Sequence, residues 1–296
     1  MSVFNNVVLA PDDPILGLVE NFKQDPRENK INLTIGIYAD ANGKVPVLNV
    51  VKKAQDALLA EAKPHVYLPM HGLQKYNTSV QRLLFSEHHS VIAENRLATV
   101  QTLGGTGALK VGADFLNQLF AGNLPKVHVS DPTWDNHRAI FKGAGFEVEA
   151  YPYFDTETGG VRFEAMMEYF KALPANSILV LHACCHNPTG ADLTDAQWRE
   201  LAEVVKARSL MPFLDMAYQG FAQGVQEDAK AIHIMTDAGV PVLIANSFSK
   251  SFSLYGERVG ALSVVTSSAE EQVRVTSQLK KMVRANYSSP PEFGAA

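Results

Sequence analysis

From about residue 97 onward, short apolar runs alternate with longer segments in which apolar positions recur at helical spacing. The short runs predict strands, and several are apolar almost throughout, as in strands covered on both faces. The predicted strands are 97–101, 126–130, 146–151, 177–183, 212–216, 241–246 and 260–265, and the predicted helices are 106–120, 134–142, 163–173, 194–208, 227–238 and 269–283. This alternation indicates an α/β fold with a mainly parallel sheet and helices on both faces.

The predicted helix at 194 opens with a start signal. Thr194-Asp195-Ala196-Gln197 has the spacing of a capping box, in which the first and fourth residues exchange hydrogen bonds. In parallel sheets of this kind, ligands bind beyond the carboxyl ends of the strands. Polar residues that follow the predicted strands are therefore the first candidates for a functional site.

Residues 1–45 have a different pattern. They contain an extended start, a short helix near 14–22 and a strand-like segment at 31–38. We interpret 1–45 as an N-terminal arm with part of a small domain, and 46–296 as one large domain. The sequence stops at Phe293-Gly294-Ala295-Ala296 with no segment to complete the small domain. We therefore expect a C-terminally truncated chain with an incomplete small domain.

Composition limits the partners and the location. The chain has 296 residues, of which 46% are hydrophobic, which is enough for a large core. A formal net charge of -5 gives no reason to expect nucleic acid or an anionic membrane as partner. The two cysteines, Cys184 and Cys185, are adjacent and so rarely meet disulfide geometry. With no signal-peptide pattern and no apolar run long enough for a membrane span, these features lead us to expect a cytoplasmic protein.

The segment His182-Ala-Cys-Cys-His186 resembles a metal cluster at first sight. Four ligands so close in sequence at a strand end cannot all face one tetrahedral ion. We therefore predict no metal site here, and we interpret Cys184 and Cys185 as small buried hydrophobes.

The richest chemistry lies at 246–260, directly after an apolar strand. Lys250 is predicted on the turn at the strand's carboxyl end, where partial desolvation lowers a lysine pKa and makes the amine a nucleophile. Ser247, Ser249 and Arg258 surround it with donors suited to a dianionic phosphate. A solvated surface lysine is the ordinary alternative, but this density of donors favours a site.

Other candidates are ambiguous when taken alone. The glycine-rich turn 104–109 lies between a strand and a helix and can bind phosphate through its backbone N–H groups, yet a plain tight turn is equally compatible. Asp215, at the end of a strand, has a turn or N-cap alternative. Trp134 could equally be an ordinary core residue, and Arg284 could be a solvated arginine at the end of a helix.

The pattern Ser247-x-Ser-Lys250-x-x-Ser-x-x-Gly-x-Arg258-x-Gly260 resembles the attachment motif for pyridoxal 5′-phosphate (PLP) in class I aminotransferases of the aspartate/aromatic family. Further matches run in the family's order from residue 14 to residue 294. The resemblance implies the type I fold of PLP-dependent transferases. It also implies that Lys250 carries the cofactor as a Schiff base.

The resemblance assigns roles to the remaining candidates. Around the cofactor it implies phosphate contacts from Gly105, Thr106, Ser247, Ser249, Arg258 and, across a dimer, Tyr67; a pyridinium contact from Asp215, oriented by His137; contacts to the 3′-oxygen from Tyr218 and Asn187; and ring stacking by Trp134. Around the substrate it implies Gly36, Trp134 and Asn187 near the amino acid, and Arg284 reaching the distal group across the dimer interface.

The implied activity is transamination between an amino acid and 2-oxoglutarate in a homodimer. Three stretches look closer to the aromatic branch of the family: LGGTGALKVGADFL, NPTGADLT and FSLYGERVG. Ser288-Ser289 looks closer to that branch as well. Ala39, Val45 and Val66 provide apolar positions that favour an aromatic ring. Thr106 departs from that branch, where serine is usual. We therefore favour an aromatic-amino-acid aminotransferase that also accepts aspartate.

Three alternatives stay open. The first is an aspartate aminotransferase. The second is a non-catalytic PLP-binding module such as the aminotransferase-like half of a transcription regulator, although no DNA-binding segment or basic patch precedes the fold. The third is another PLP enzyme, such as a lyase or a decarboxylase, because the same fold serves many PLP reactions.

Overall fold

The structure is a computed structural model that describes residues 2–9, 14–32 and 36–296, apart from the side chains of 14–16. These residues form two compact units, Met1–Val47 and Leu48–Ala296. The first unit contains a short 3-10 helix at Val3–Asn6 and helix α1 at Pro14–Gln24.

The strand expected at 31–38 is wrong for the residues that are described there. Ile31, Asn32 and Gly36–Tyr38 lie outside any strand, and Ile31 is exposed; residues 33–35 lie outside the described part of the chain. A strand needs a neighbour for its backbone N–H and C=O groups. The described residues of this unit form no strand that could pair with it.

The second unit contains the remaining named helices and the sheet. Its α-helices are α2 (Asn49–Glu61), α3 (Gln74–Phe85), α4 (Ser90–Ala93), α5 (Gly104–Leu119), α6 (Asn136–Gly143), α7 (Phe163–Ala172), α8 (Asp195–Ala207), α9 (Lys230–Asp237) and α10 (Ala269–Asn286). Its strands are β1 (Leu97–Leu103), β2 (Val127–Asp131), β3 (Val148–Pro152), β4 (Ile178–His182), β5 (Met211–Met216), β6 (Val242–Ser247) and β7 (Val259–Val265). Each strand overlaps a predicted one, and the capping box at Thr194 is confirmed.

The strands form one seven-stranded sheet among the described residues, in the order β1-β7-β6-β5-β4-β2-β3. Strands β2 to β6 pair in parallel, while β7 is antiparallel to both β1 and β6. The prediction of a mainly parallel sheet is confirmed. The reversal at β7 follows from its connection, because residues 248–258 form turns rather than the crossover helix that parallel neighbours need.

Both faces of the sheet are covered, as the nearly continuous apolar strands predict. On β4, Ile178 and Val180 pack on one face with α5, α6 and α10, whereas Leu179 and Leu181 pack on the other with α7, α8 and α9. Burying one such side chain stabilises the fold by roughly 1.5–3 kcal/mol. The sheet therefore holds the residues at the carboxyl ends of its strands in fixed positions. None of the helices in the described residues has the length and apolar character needed to cross a membrane.

Gly260, on β7, allows the start of α5 to approach the strand closely. A Cβ at this position would lie 2.3 Å from the carbonyl carbon of Gly104 and 2.7 Å from the carbonyl oxygen of Asn246. Both neighbours are backbone atoms, so they cannot move aside cheaply.

We therefore predict that Gly260→Ala lowers the free energy of unfolding by about 1–3 kcal/mol, the usual range for overpacking. Gly256→Ala is the matched control, because a Cβ at Gly256 meets nothing within 4 Å. Urea unfolding of the two variants measures the difference. Equal midpoints would contradict the close approach.

Candidate active site

The parallel strands bring their carboxyl ends to one edge of the sheet. Asp215 lies near the end of β5, and Ser247 is the last residue of β6. Lys250 follows on the turn after β6, as predicted. Asp215 pairs in register with His182 of β4 and Ala245 of β6, so the strand that carries it is held from both sides.

Asp215 is a buried carboxylate held by a hydrogen-bond chain. Its Oδ2 lies 2.9 Å from Nε2 of His137, and Nδ1 of His137 lies 2.8 Å from the Thr133 hydroxyl. His137 is fully buried and Asp215 is 6% exposed. A carboxylate oxygen accepts, so Nε2–H of His137 donates to Asp215, and the Thr133 hydroxyl holds the other ring nitrogen. Half-buried Trp134 meets the His137 ring edge to face at 5.3 Å.

Two further histidines lie beneath this chain, and sequence reasoning gave them no role. The His182 ring is 5.1 Å from that of His137 and 4.3 Å from that of His186. Burial lowers the pKa of His182 well below its usual value and that of His186 to about 4, so both rings are neutral. Neither ring nitrogen of His182 has a hydrogen-bond partner within the described residues. A buried neutral layer therefore lies next to the carboxylate.

Ligand-type atoms of His137, His182 and Asp215 lie within 4.8 Å of one another. The hydrogen bond from His137 to Asp215 accounts for the closeness of these two residues without a metal ion. The predicted absence of a metal stays a prediction.

Lys250 is half-buried, and its ammonium position lies 4.9 Å from the centre of the Tyr255 ring. Burial lowers the pKa of Lys250, and the positive charge of Arg258 lowers it further. Both effects increase the fraction of neutral amine at a given pH. The side chain is therefore closer to a usable nucleophile than an exposed lysine would be.

A group of donors suited to an anion surrounds this turn. Helix α5 begins at Gly104, and the first N–H groups of a helix have no partner within the helix. A Cβ on Gly105 would come within 2.9 Å of the Ser247 Cβ, so glycine lets the helix start lie against β6. Nη1 of Arg258 lies 3.2 Å from the Ser249 hydroxyl. Half-buried Thr106 belongs to the first turn of the same helix.

Tyr218 and Asn187 lie on loops that follow β5 and β4. Burial raises the pKa of Tyr218, and the charge of Asp215 raises it further, which keeps the phenol protonated and able to donate. The loop before Asn187 is organised by Asp192, whose oxygens accept from the backbone N–H groups of Cys185 and His186 at 2.7 and 2.8 Å. Asp192 had no predicted role, although an acidic residue shortly after a strand end is a common organiser of turns.

Three of the predicted residues remain: Tyr67, Arg284 and Gly36. Tyr67 is 93% exposed. Arg284 is exposed in the last turn of α10, where Nη1 lies 2.5 Å from the Ser288 hydroxyl. Gly36 belongs to the Met1–Val47 unit, outside any helix or strand. The roles expected for these three residues stay predictions.

Comparison with known proteins gives a consistent result. The family model for aminotransferase class I and II matches residues 28–296. The chain is 56% identical to the tyrosine aminotransferase of Klebsiella pneumoniae, over 99% of this chain and 74% of that protein. It is 50% identical to the aspartate aminotransferase of Pseudomonas aeruginosa, over 100% of this chain and 74% of that protein.

A solved structure gives the same relationship in three dimensions. The aromatic-amino-acid aminotransferase from Burkholderia pseudomallei, covalently bound to pyridoxal phosphate, superposes with a TM-score of 0.97 at 53% identity. The match covers 100% of this chain and 73% of that one. The chain belongs to the class I and II aminotransferase family.

Proposed function

We propose that this protein transfers the amino group of tyrosine or phenylalanine, and also of aspartate, to 2-oxoglutarate with pyridoxal 5′-phosphate as cofactor. One observation carries the proposal: a half-buried lysine of lowered pKa, a buried carboxylate and a helix start with hydroxyl and guanidinium donors lie at or just after the ends of β6, β5 and β1, at one edge of the sheet. The family membership supports the same reaction class.

The residues present fit the cofactor by their donor chemistry. Gly105 lets the N-terminus of α5, which can bind a phosphate, lie close to the Ser247 side chain at the end of β6. We propose that Thr106, Ser247, Ser249 and Arg258 complete this phosphate site, with Tyr67 reaching it across a dimer. A phosphate dianion needs several donors, and guanidinium and hydroxyl groups are suited to that task.

The ring end of the cofactor would be held by a second set of residues. We propose that Asp215 accepts from the protonated ring nitrogen and that His137 fixes the orientation of that carboxylate. Tyr218 and Asn187 would donate to the 3′-oxygen, which fits the raised pKa of Tyr218. Trp134 would cover one face of the ring.

When bound, pyridoxal phosphate supplies an aldehyde that links to amines and a ring that delocalises the electrons released when the Cα proton leaves. Lys250 would hold the cofactor until substrate arrives, and its freed Nζ would then accept the Cα proton of the substrate and pass it on to the cofactor. Neutral Nζ is the form that accepts a proton, and both burial and Arg258 favour that form. Asp215 keeps the ring nitrogen protonated because a buried carboxylate stabilises a cation beside it.

We also propose the wider organisation expected from the sequence. Residues 46–296 form the cofactor-binding domain, and residues 1–45 form an arm with part of a small domain. The protein is a cytoplasmic homodimer with shared active sites, and Gly36 and Arg284 bind substrate. The exposure of Tyr67 and Arg284 on a single chain supports the shared sites. Light scattering of the native protein tests the dimer, and a monomeric mass would refute it.

Absorbance spectroscopy tests the reaction class. Adding phenylalanine to the PLP-loaded protein should convert the aldehyde-form absorbance to that of the amine form, with phenylpyruvate released in equal amount. A spectrum that stays unchanged would favour the non-catalytic module. Release of carbon dioxide or ammonia instead of the 2-oxo acid would favour a decarboxylase or a lyase.

The substrate preference gives a sharper prediction. We expect kcat/KM for phenylalanine and tyrosine to exceed that for aspartate, in line with the names of the relatives. Arg284→Ala should lower kcat/KM for aspartate by about 10- to 100-fold, which corresponds to one hydrogen bond to a charged group, and change the phenylalanine value little.

Arg274→Ala is the matched control for that substitution, because Arg274 is an exposed arginine on the same helix. It should change neither value. Steady-state kinetics with the two substrates makes the comparison. A loss of equal size for aspartate and phenylalanine would contradict the role of Arg284.

A further inference from the structure

Cys184 and Cys185 are the two cysteines of the whole chain, and they follow β4 after one residue, Ala183. The structure separates them from the flanking histidines. Ring nitrogens of His182 lie near Asp215, whereas the two thiols lie within 4.8 Å of each other and of an Asp228 oxygen. Cys184 is buried, but Cys185 is only half-buried. The interpretation as a small buried hydrophobe therefore fits Cys184, but it fits the half-buried Cys185 less well.

The loop holds the two sulfurs in a fixed relation. Cys185 has a φ of +49°, a left-handed backbone conformation that is uncommon for a side chain of this type. Its N–H group donates to Oδ2 of Asp192 at 2.7 Å, which stabilises that conformation. The closeness of the two thiols lowers the pKa of Cys185 and raises that of Cys184, and burial raises the pKa of Cys184 further. Cys185 is therefore both the more accessible thiol and the one that ionises first.

The surroundings favour a three-coordinate partner over a tetrahedral metal ion. The Asp228 carboxylate accepts from four backbone N–H groups of the loop that precedes it, those of Gly220, Ala222, Gln223 and Gly224. These hydrogen bonds occupy the Asp228 oxygens, so we do not count Asp228 as a ligand. Two thiols alone do not fill the four positions of zinc. They do complete trivalent arsenic that already carries one carbon substituent.

We propose that Cys184 and Cys185 form a chelating dithiol that binds a trivalent organoarsenical or a similar soft electrophile with two places for sulfur. With an arsenoxide, two S–As bonds form and the As–O bond breaks. The two thiol protons leave with the oxygen as one water molecule. Arsenic stays trivalent, so no oxidant or reductant is required.

The dithiol is coupled to the candidate active site through two contacts. Cys184 Sγ lies 3.5 Å from Sδ of Met216, the residue after Asp215. Cys185 Sγ lies 4.0 Å from the carbonyl oxygen of Tyr218. Both sulfurs must turn toward a shared arsenic atom, so both contacts change on binding. Occupancy should therefore disturb the segment that carries Asp215 and Tyr218, an effect on activity that rests on the proposed function.

Phenylarsine oxide added to the PLP-loaded protein tests the binding. Intact mass should show one phenylarsenic group per chain, and both thiols should then resist iodoacetamide after unfolding. Dimercaptopropanol should remove the group, while glutathione should not. Cys184→Ser and Cys185→Ser should each weaken binding by at least about 100-fold, because each loses the intramolecular second bond.

Two results of the arsenical experiment would overturn the proposal. One is an adduct that either serine variant retains at full strength, and the other is no adduct on the native protein.

Iodoacetamide labelling of the native protein gives a check that needs no variant: Cys185 should react before Cys184, and the reverse order would also contradict the proposal. The binding readouts do not depend on transamination. A bound arsenical that left the transamination rate unchanged would refute the coupling alone.

Discussion

Replacing Lys250 by alanine should lower the transamination rate by at least about 10⁴-fold. General acid–base catalysis alone contributes about 10²–10⁴-fold, and this side chain is also expected to hold the cofactor covalently. Its position supports both roles, because it follows β6 at the carboxyl edge and burial together with Arg258 lowers its pKa. Single-turnover spectroscopy with phenylalanine measures the loss.

Lys250→Arg is the matched control for this substitution. Arginine keeps the positive charge and most of the length, but it stays protonated and can neither attack an aldehyde nor accept a proton. It should therefore be as inactive as alanine. Both variants should still bind pyridoxal phosphate non-covalently, since the donors at Arg258 and the start of α5 remain. A variant that kept more than a tenth of the native rate would contradict the role of Lys250.

The second large effect is expected at Asp215. Asp215→Asn should lower the transamination rate by about 10²–10³-fold, the usual loss when one preorganised group at a reacting centre is removed. The amide keeps the shape but cannot stabilise a protonated ring nitrogen. The amide has one acceptor oxygen where the carboxylate has two, of which Oδ2 accepts from His137.

Asp215→Glu separates charge from position. It retains the carboxylate and moves it by one methylene, so its rate should lie between those of the native protein and Asp215→Asn. The bound cofactor gives a second readout, because its absorbance should respond to pH differently when the ring nitrogen loses its proton more easily. An asparagine variant with near-normal turnover would refute the proposed role of Asp215.

The sequence predicts the sheet well because its strands are buried on both faces. Strands such as β4 are apolar up to their last residue, and a run of this length is typical of a strand covered on both faces. Lys250 could be placed at a strand end for the same reason. The position of Asp215 within β5, rather than at an N-cap, depends on pairing with β4 and β6, which no local pattern encodes.

Other features depend on contacts that are distant in sequence. Helix α2 has no buried residue, although Val51, Ala54 and Leu58 recur at helical spacing. The reversal at β7 is a property of the connection through 248–258. The neutral pair His182 and His186 lies close to His137 and Asp215 because β4, β5 and the start of α6 come together in the fold. A histidine between apolar residues gives no local sign of that neighbourhood.

The central claim is that Lys250 carries the cofactor. Borohydride reduction of the PLP-loaded protein converts the reversible link between a lysine amine and the cofactor into a stable one. Proteolysis and peptide mapping then locate the pyridoxyl group. The structure leads us to expect it on Lys250, in the peptide that joins β6 to β7, at one group per chain. A pyridoxyl group on any other lysine, or none on the peptide that contains Lys250, would contradict the account.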